Sequence, residues 1–155
     1  MNIEKLIERH SKELVAHAMK EAPLEACGVF VVKNKRTHYI PCVNTHPSPN
    51  TDFECYKDVV ELEDKGFIVV GVFHSHTNGN NKLSPMDKAA MEACRLPYIM
   101  YSTESNTFDY ASPSFDEVPY KGRQYVGGVQ DCYTLVRDYY LREKQTVLKD
   151  FFRCD

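Results

Sequence analysis

The sequence predicts an α/β (α+β) fold in which helices pack against one central sheet. Segments with apolar residues every three or four positions alternate with short runs rich in β-branched residues, which is typical of helices and strands packed in layers. The run at residues 67–74, Phe-Ile-Val-Val-Gly-Val-Phe-His, is almost entirely apolar. A strand without polar alternation is covered on both faces, so this run is predicted to be the central strand.

Each further element follows from spacing and turn residues. Apolar positions from Ile3 to Met19 predict an amphipathic first helix that Pro23 stops, and Gly66 is predicted to end the second helix. The remaining predicted strands are residues 28–33, 37–43 and 98–101, the later helices are residues 54–65 and 84–94, and the loops are residues 33–36, 44–52 and 77–83.

The chain of 155 residues suits one domain with an appendage. We expect the main domain at residues 1–115 and a linker at 116–128, since residues 112–128 are rich in Pro, Gly and Ser. Residues 129–155 form a separate segment. Its helix is predicted from an apolar stripe of Leu135, Val136, Tyr139 and Tyr140 that begins near Cys132.

Composition excludes several classes of function. The net charge is −3 and no basic stripe is present, so nucleic acid is not an expected partner. No apolar run is long enough to cross a membrane, and the first residues lack the apolar core of a secretory signal. The six cysteines are scattered singly, without a Cys-x-x-Cys pair. These observations predict a cytoplasmic protein with reduced thiols.

The chemistry is predicted to lie in His74-Ser-His76, followed by Ser84 and Asp87. Residues i and i+2 of a strand point to the same face, so both imidazoles can converge on one ion. Zinc accepts neutral His nitrogen and carboxylate oxygen, and a catalytic zinc keeps three protein ligands and one open position. Asp87, in the first turn of the next helix, is the predicted third ligand.

Each part of this pattern also has a purely structural explanation. A single histidine at a strand end is more often structural than a ligand. Ser84 followed by Pro85 and Asp87 is a good helix start without any metal, with the serine as N-cap and the carboxylate favoured by the helix dipole. Both roles are compatible for Asp87. For Ser84 they compete, because a hydroxyl engaged in capping is less free to contact a substrate.

The combined pattern resembles the metal motif of the JAMM (MPN-plus) family of peptidases and isopeptidases. Pro23-Leu-Glu-Ala-Cys-Gly28 resembles the family's first conserved box, and Asn44 and Phe53 also fit its pattern. The resemblance implies a central mixed sheet and a Zn²⁺ held by His74, His76 and Asp87. It further implies that Glu25 is the general base toward a zinc-activated water and that Ser84 stabilises the oxyanion.

Residues 127–140, Gly-Gly-Val-Gln-Asp-Cys-Tyr-Thr-Leu-Val-Arg-Asp-Tyr-Tyr, resemble the nucleophile box of NlpC-type cysteine peptidases. This resemblance makes Cys132 a candidate thiol nucleophile at a helix start, where the dipole favours thiolate. No histidine follows Cys132, so no downstream base is available and the segment is expected to be truncated or vestigial. A small buried thiol on the apolar stripe of its own helix is the favoured explanation of Cys132. A JAMM domain followed by an NlpC-type domain is the arrangement of phage tail-assembly proteins of the lambda K type.

The expected function is therefore zinc-dependent hydrolysis of an amide bond in a protein or peptide, in phage tail assembly within a bacterial cytoplasm. Candidate partners are a ubiquitin-like fold, a peptidoglycan peptide and tail-tip proteins. The alternative is a non-catalytic JAMM-fold scaffold that docks tail-tip proteins. A generic zinc hydrolase or lyase with His38 or His46 as a ligand is the third possibility, although neither histidine stands in a motif.

Overall fold

A computed structural model of the chain describes residues 2–114, 119–125 and 130–149, except for the side chains of Tyr56 and Lys57. The described residues form five strands and four helices. In chain order these are α1 (Ile3–Glu21), β1 (Cys27–Lys33), β2 (Arg36–Cys42), α2 (Tyr56–Asp64), β3 (Ile68–His76), α3 (Pro85–Cys94), β4 (Tyr98–Ser102), β5 (Thr107–Ala111) and α4 (Cys132–Lys144). The predicted α+β class, a mixed sheet flanked by helices, is confirmed.

The strands form one sheet in the order β2-β1-β3-β4-β5. The strand predicted to be central, β3, is indeed the middle strand. It pairs antiparallel with β1 and parallel with β4, while the other two pairs are antiparallel. A parallel pair needs a crossover connection, and α3 lies in that crossover. The carboxyl end of β3 therefore leads straight into the loop and helix that carry Ser84 and Asp87.

The two faces of the sheet bury different clusters. One face packs against α1, with Phe30, Phe73 and Ile99 in the core that α1 covers. The other face carries the two clusters that contain Val72 and Val29, together with residues of α2 and α3. Because successive side chains of a strand alternate between faces, His74 and His76 share the α2 and α3 side with Val72.

Gly28 is required by a close approach between β1 and β2. A Cβ atom at this position would lie 2.3 Å from the Tyr39 hydroxyl oxygen and 2.6 Å from ring carbons of Tyr39. The Tyr39 side chain is buried and its hydroxyl lies 2.7 Å from His17 Nδ1, so the ring is held from the α1 side. This contact explains why the Glu-Ala-Cys box ends on glycine.

The structure differs from the sequence-based expectations in a few places. Strand β5 was not predicted; it is an edge strand of five residues, none of them fully buried, so it lacks a strong apolar pattern. Strand β3 runs two residues further than predicted, to His76. Met19 was placed on the buried face of α1, but its side chain is exposed. The predicted turn at residues 33–36 is confirmed as a tight hairpin, in which Asn34 and Lys35 have positive φ.

The C-terminal helix predicted near Cys132 is confirmed as α4. Asp131 caps it, because its carboxylate accepts a hydrogen bond from the Thr134 backbone N–H. Parts of the predicted linker and of the last segment, residues 116–118, 126–129 and 150–155, lie outside the described residues. Among the residues that are described, no helix is long and apolar enough to cross a membrane.

Candidate metal centre and cleft

Three side chains converge at the carboxyl end of β3. The Nε2 atoms of His74 and His76 lie 3.1 Å apart. Asp87, in the first turn of α3, places Oδ1 3.2 Å from His74 Nε2 and Oδ2 3.3 Å from His76 Nε2. All three residues are buried. Within the described part of the chain, this is the group of His, Cys, Asp and Glu residues whose atoms lie close enough together to bind a metal ion.

The donor set fits zinc. His76 Nδ1 lies 3.2 Å from the Asn80 carbonyl oxygen, to which it donates, so the neutral ring presents the Nε2 lone pair to the cluster. Two imidazole nitrogens at 3.1 Å cannot both present lone pairs without repulsion. A cation that both nitrogens bind removes that repulsion, and the Asp87 carboxylate supplies a matching negative charge. Two histidines and one carboxylate are a common set for catalytic zinc.

Contacts within the cluster also shift the pKa values of its members. Burial would raise the pKa of Asp87, but His74, His76 and Ser84 hold it well below the ordinary value. Burial would lower the pKa of His76, but its hydrogen bond and charge interaction with Asp87 raise it instead. Asp87 is thus the permanent anion of the centre.

Glu25 lies in the segment between α1 and β1 and is 2% exposed. Its Oε1 atom is buried and has no hydrogen-bond partner. Burial raises the pKa of Glu25 to about 7. The nearby His76 lowers this pKa by a smaller amount, and the negative charges of Asp87 and Asp52 raise it further. A carboxyl group with a pKa near neutrality can both accept and return a proton at physiological pH.

Two side chains hold the backbone beside Glu25. The Asn44 amide donates to the carbonyl oxygens of Glu25 at 2.9 Å and Asp52 at 3.0 Å. The Ser75 hydroxyl accepts a hydrogen bond from the Ala26 backbone N–H at 2.9 Å, and the Ser75 N–H donates to the Ala26 carbonyl oxygen at 2.9 Å. Ser75 lies between the two histidines of β3. The position of Glu25 is therefore fixed directly to the strand that carries them.

Ser84 is the N-cap of α3. Its hydroxyl oxygen accepts from the Asp87 N–H at 3.1 Å, and its own N–H donates to Asp87 Oδ2 at 2.7 Å, which completes a capping box. The expected competition between capping and substrate contact is thereby reduced. The cap uses a lone pair of the hydroxyl oxygen, whereas stabilising an oxyanion would use the hydroxyl proton.

A cavity of about 500 Å³ opens beside these residues. Such a volume lies within the range of roughly 300–1,000 Å³ that is typical of ligand pockets. Among the residues that line it are Glu25, His76, Ser84 and Asp87. Four of the five candidate side chains, all except His74, therefore meet one accessible space.

The sequence identified most of this arrangement but not its supports. His74, His76, Asp87, Glu25 and Ser84 lie together as expected. His38 is exposed on β2, and His46 Nδ1 accepts a hydrogen bond from the Ser48 N–H in a local turn, so neither joins the cluster. Cys132 is exposed at the first residue of α4.

The sequence does not predict three supporting contacts, although Phe53 fits the family's pattern. The Ser75 bond to Ala26, the Asn80 carbonyl that orients His76 and the Phe53 ring each act through the tertiary fold. The Phe53 and His74 rings stack with centroids 4.5 Å apart and an interplanar angle of 18°. Only Ser75 left a local signal, as a buried polar residue that points to the opposite face from both histidines.

Comparison with known proteins identifies two relatives that are at least 32% identical to this chain over the matched residues. The chain is 33% identical over 139 residues to the tail tip assembly protein K of Escherichia phage N15, a match that spans 89% of this chain and 56% of the relative. It is 32% identical over 98 residues to a probable TtuB-protein conjugate cleaving protease of Thermus thermophilus, spanning 60% of this chain and 66% of that protein. The chain thus spans between about half and two thirds of the length of these relatives.

A solution structure of a protein from Desulfitobacterium hafniense aligns with a TM-score of 0.47 at 21% identity, over 76% of this chain and 96% of the other. The model of the prokaryotic homologs of the JAB domain matches residues 8–112. That match spans α1 to β5 and includes the buried cluster on β3 and α3. The chain therefore belongs to the prokaryotic homologs of the JAB domain.

Proposed function

We propose that this chain is a zinc-dependent peptidase or isopeptidase of the JAMM type. The observation that carries the proposal is the convergence of His74, His76 and Asp87 next to Glu25, a buried carboxyl group with an unpartnered oxygen. Family membership and a relative that is named as a protease support the same function. In this proposal the two histidines and Asp87 are the metal ligands.

Zinc, when bound, supplies Lewis acidity that activates a water molecule and polarises the scissile carbonyl group. Glu25 accepts the proton of the attacking water and returns it to the departing amine, a task suited to its pKa near 7. The Ser84 hydroxyl donates its proton as a hydrogen bond to the developing oxyanion. Asn44 and Ser75 keep the Glu25 backbone in place during this proton transfer.

We further propose that the substrate is an amide bond within a protein or between a protein and a conjugated partner. The support is that one relative is named for cleaving protein conjugates and another for assembling a tail tip. A ubiquitin-like fold, a peptidoglycan peptide and a tail-tip protein remain the candidate partners. A role in phage tail assembly in the cytoplasm of a host belongs to this proposal.

The second candidate function is a scaffold without catalysis, and the relative named as a tail tip assembly protein favours it. The NlpC-like segment does not add a second activity in this proposal. Cys132 begins α4, as the resemblance implies, but no histidine follows it in the sequence. In this proposal the hydrolysis depends on the metal centre and not on the Cys132 thiol.

The first experiment measures zinc in the purified protein by elemental analysis. We expect close to one equivalent per chain, and sharply reduced zinc in His74→Ala and Asp87→Ala. His38→Ala is the matched control, because His38 is exposed on β2 away from the cluster. Protein that remains free of zinc after refolding in its presence would contradict the proposal.

The second experiment separates the enzyme from the scaffold. A ubiquitin-like protein joined through its C-terminus to a lysine side chain is incubated with the zinc-loaded protein. Hydrolysis should be abolished by a zinc chelator, recovered with added zinc and unaffected by Cys132→Ala. A protein that holds zinc yet cleaves none of the three candidate substrate classes would favour the scaffold.

A further inference from the structure

Helix α4 turns one of its faces to the cleft that holds the candidate metal centre. Thr134, Arg137, Asp138 and Leu141 line the same cavity as Glu25, His76 and Asp87. Their spacing of three and four residues marks one face of a helix. A different face, with Leu135, Val136, Tyr139 and Tyr140, lines a shallow surface pocket together with Tyr120. The helix is thus one wall of the cleft.

This wall is built by contacts outside the metal centre. Asp138 pairs with Arg123 at 2.7 Å and with Arg142 at 3.8 Å. The guanidinium groups of both arginines lie over the Tyr120 ring, with their central carbons 5.9 and 5.1 Å from its centroid. The segment at residues 119–125 is therefore fastened to α4.

The residues that follow α4 fold back along it and extend the wall. The Thr146 N–H donates to the Tyr140 carbonyl oxygen at 3.0 Å, and the Tyr133 hydroxyl donates to the Lys149 carbonyl oxygen at 2.8 Å. Arg137 Nε lies 3.4 Å from the Leu148 carbonyl oxygen. As a result Leu148, with its neighbour Val147, also lines the cavity.

A group of largely apolar residues in the cavity lining defines what we call the inner pocket. It is lined by side chains of the strands, of α3 and of the segment that follows it: Val72, Ala90, Ala93, Leu96 and Tyr98. Phe53 joins this lining to the metal centre, because its ring stacks on His74. A polar side chain placed here would lose its hydration, whereas an apolar side chain would gain from burial.

We propose that this inner pocket receives an apolar side chain of the polypeptide substrate, next to the bond that is cut, and that Leu141 closes the pocket. The proposal rests on the proposed peptidase function and adds the side-chain class of the substrate. Leu141 is 53% exposed and lines the same cavity as Ala93 of α3. A large part of its apolar surface is therefore available to a bound side chain. Replacement of Leu141 by a polar residue should weaken the preference for apolar side chains without unfolding the protein.

The experiment uses binding rather than turnover. The full zinc-loaded chain is titrated by calorimetry with three probes, the hydroxamates of N-acetylglycine, N-acetylleucine and N-acetylasparagine. The hydroxamate group binds zinc in all three, while leucine and asparagine are similar in size and differ in polarity. We expect the leucine probe to bind about tenfold to a hundredfold more tightly than the glycine probe, as burial of one aliphatic side chain predicts. The asparagine probe should show no such gain.

Two variants localise the effect. Leu141→Asp should remove most of the leucine advantage while the glycine probe and the zinc content stay unchanged. Val136→Asp is the matched control on the other face of α4, where Val136 is 43% exposed, and it should behave as wild type. Ala93→Phe, which fills the pocket from α3, should abolish the leucine advantage by a second route.

Equal affinities for the three probes in zinc-loaded protein would contradict the proposed apolar pocket but not the proposed metal centre. Unequal affinities that Leu141→Asp and Ala93→Phe both leave unchanged would place the selection elsewhere and would also overturn the inference. Protein that holds no zinc and binds no probe would overturn the proposed function and this inference with it. The zinc measurement therefore distinguishes the two failures.

Discussion

The end of β3 and the wall formed by α4 face the same cleft but are built in opposite ways. His74 and Ser75 are completely buried, and their contacts reach α3, the segment before β1 and the loop after β2. On α4, by contrast, Val136, Tyr139, Tyr140 and Leu141 are all more than 40% exposed. That helix is held by partly buried ion pairs and ring contacts rather than by a packed apolar core.

The difference suggests that the strand end and α4 have different roles. Groups that carry out chemistry must be held within a fraction of an ångström, which the buried strand end provides. A wall that only selects substrates can tolerate more motion and more sequence change. Substitutions at the strand end should thus affect metal binding and turnover, whereas substitutions on α4 should affect which substrate binds.

The largest expected effect tests the strand end. Glu25→Gln keeps the shape of the side chain but removes the proton acceptor, so turnover should fall by about two to four orders of magnitude, the usual scale of general acid–base catalysis. Zinc content should remain near one equivalent because Glu25 is not a ligand in the proposal. Loss of zinc in Glu25→Gln would show that the residue binds the metal instead.

Ser84→Ala should produce the next largest effect. If the hydroxyl donates to the oxyanion, turnover should fall by about two to three orders of magnitude. Loss of the N-cap should also cost about 1 kcal/mol of the free energy of unfolding, measured by chemical denaturation. Ser84→Thr retains a capping hydroxyl and is the control. Normal turnover in Ser84→Ala, with only the loss of stability, would limit Ser84 to capping.

The metal-free protein should become less stable as the pH rises from about 4.5 to about 7. The raised pKa of Glu25 means that the folded state retains a proton which the unfolded state has already released over this range. The contribution is fully present below the unfolded pKa of 4.5, and it is lost as the pH passes the folded value near 7. Glu25→Gln should remove this change, which amounts to a few kcal/mol over the whole range. An identical pH dependence in the variant would exclude Glu25 as its source.

The smallest effect is expected at the wall. Asp138→Asn removes the charge that pairs with Arg123 and Arg142 but keeps the size of the side chain. The free energy of unfolding should fall by no more than about 1 kcal/mol, and zinc content should not change. A large loss of stability or of zinc would mean that α4 is as integral to the fold as β3, and the comparison between the two regions would fail.

The convergence of His74, His76 and Asp87 could be predicted from the sequence because these residues lie in local patterns. The His-x-His pair follows from strand alternation, and Asp87 and Ser84 follow from a recognisable helix start. Glu25 could be placed only through the resemblance to a family box, since nothing local separates it from Glu21. Strand β5 was missed because an edge strand with one neighbour carries little apolar pattern. The approach of α4 to the cleft was not foreseen either, because it depends on tertiary contacts between distant residues.

The loop that connects β3 to α3 begins and ends at candidate metal ligands. His76 and Asp87 lie at the two ends of the connecting loop, so a metal bound to both would convert residues 76–87 into a closed ring. Unlike a disulfide, such a cross-link forms only in the folded state, which it stabilises through the free energy of metal binding. Metal binding should therefore reduce the local opening of this loop. Amide hydrogen exchange within residues 77–83 should slow more than in α1, which lies outside the ring. The ion of the proposed metal centre would then also set the rigidity of the loop beside the cleft.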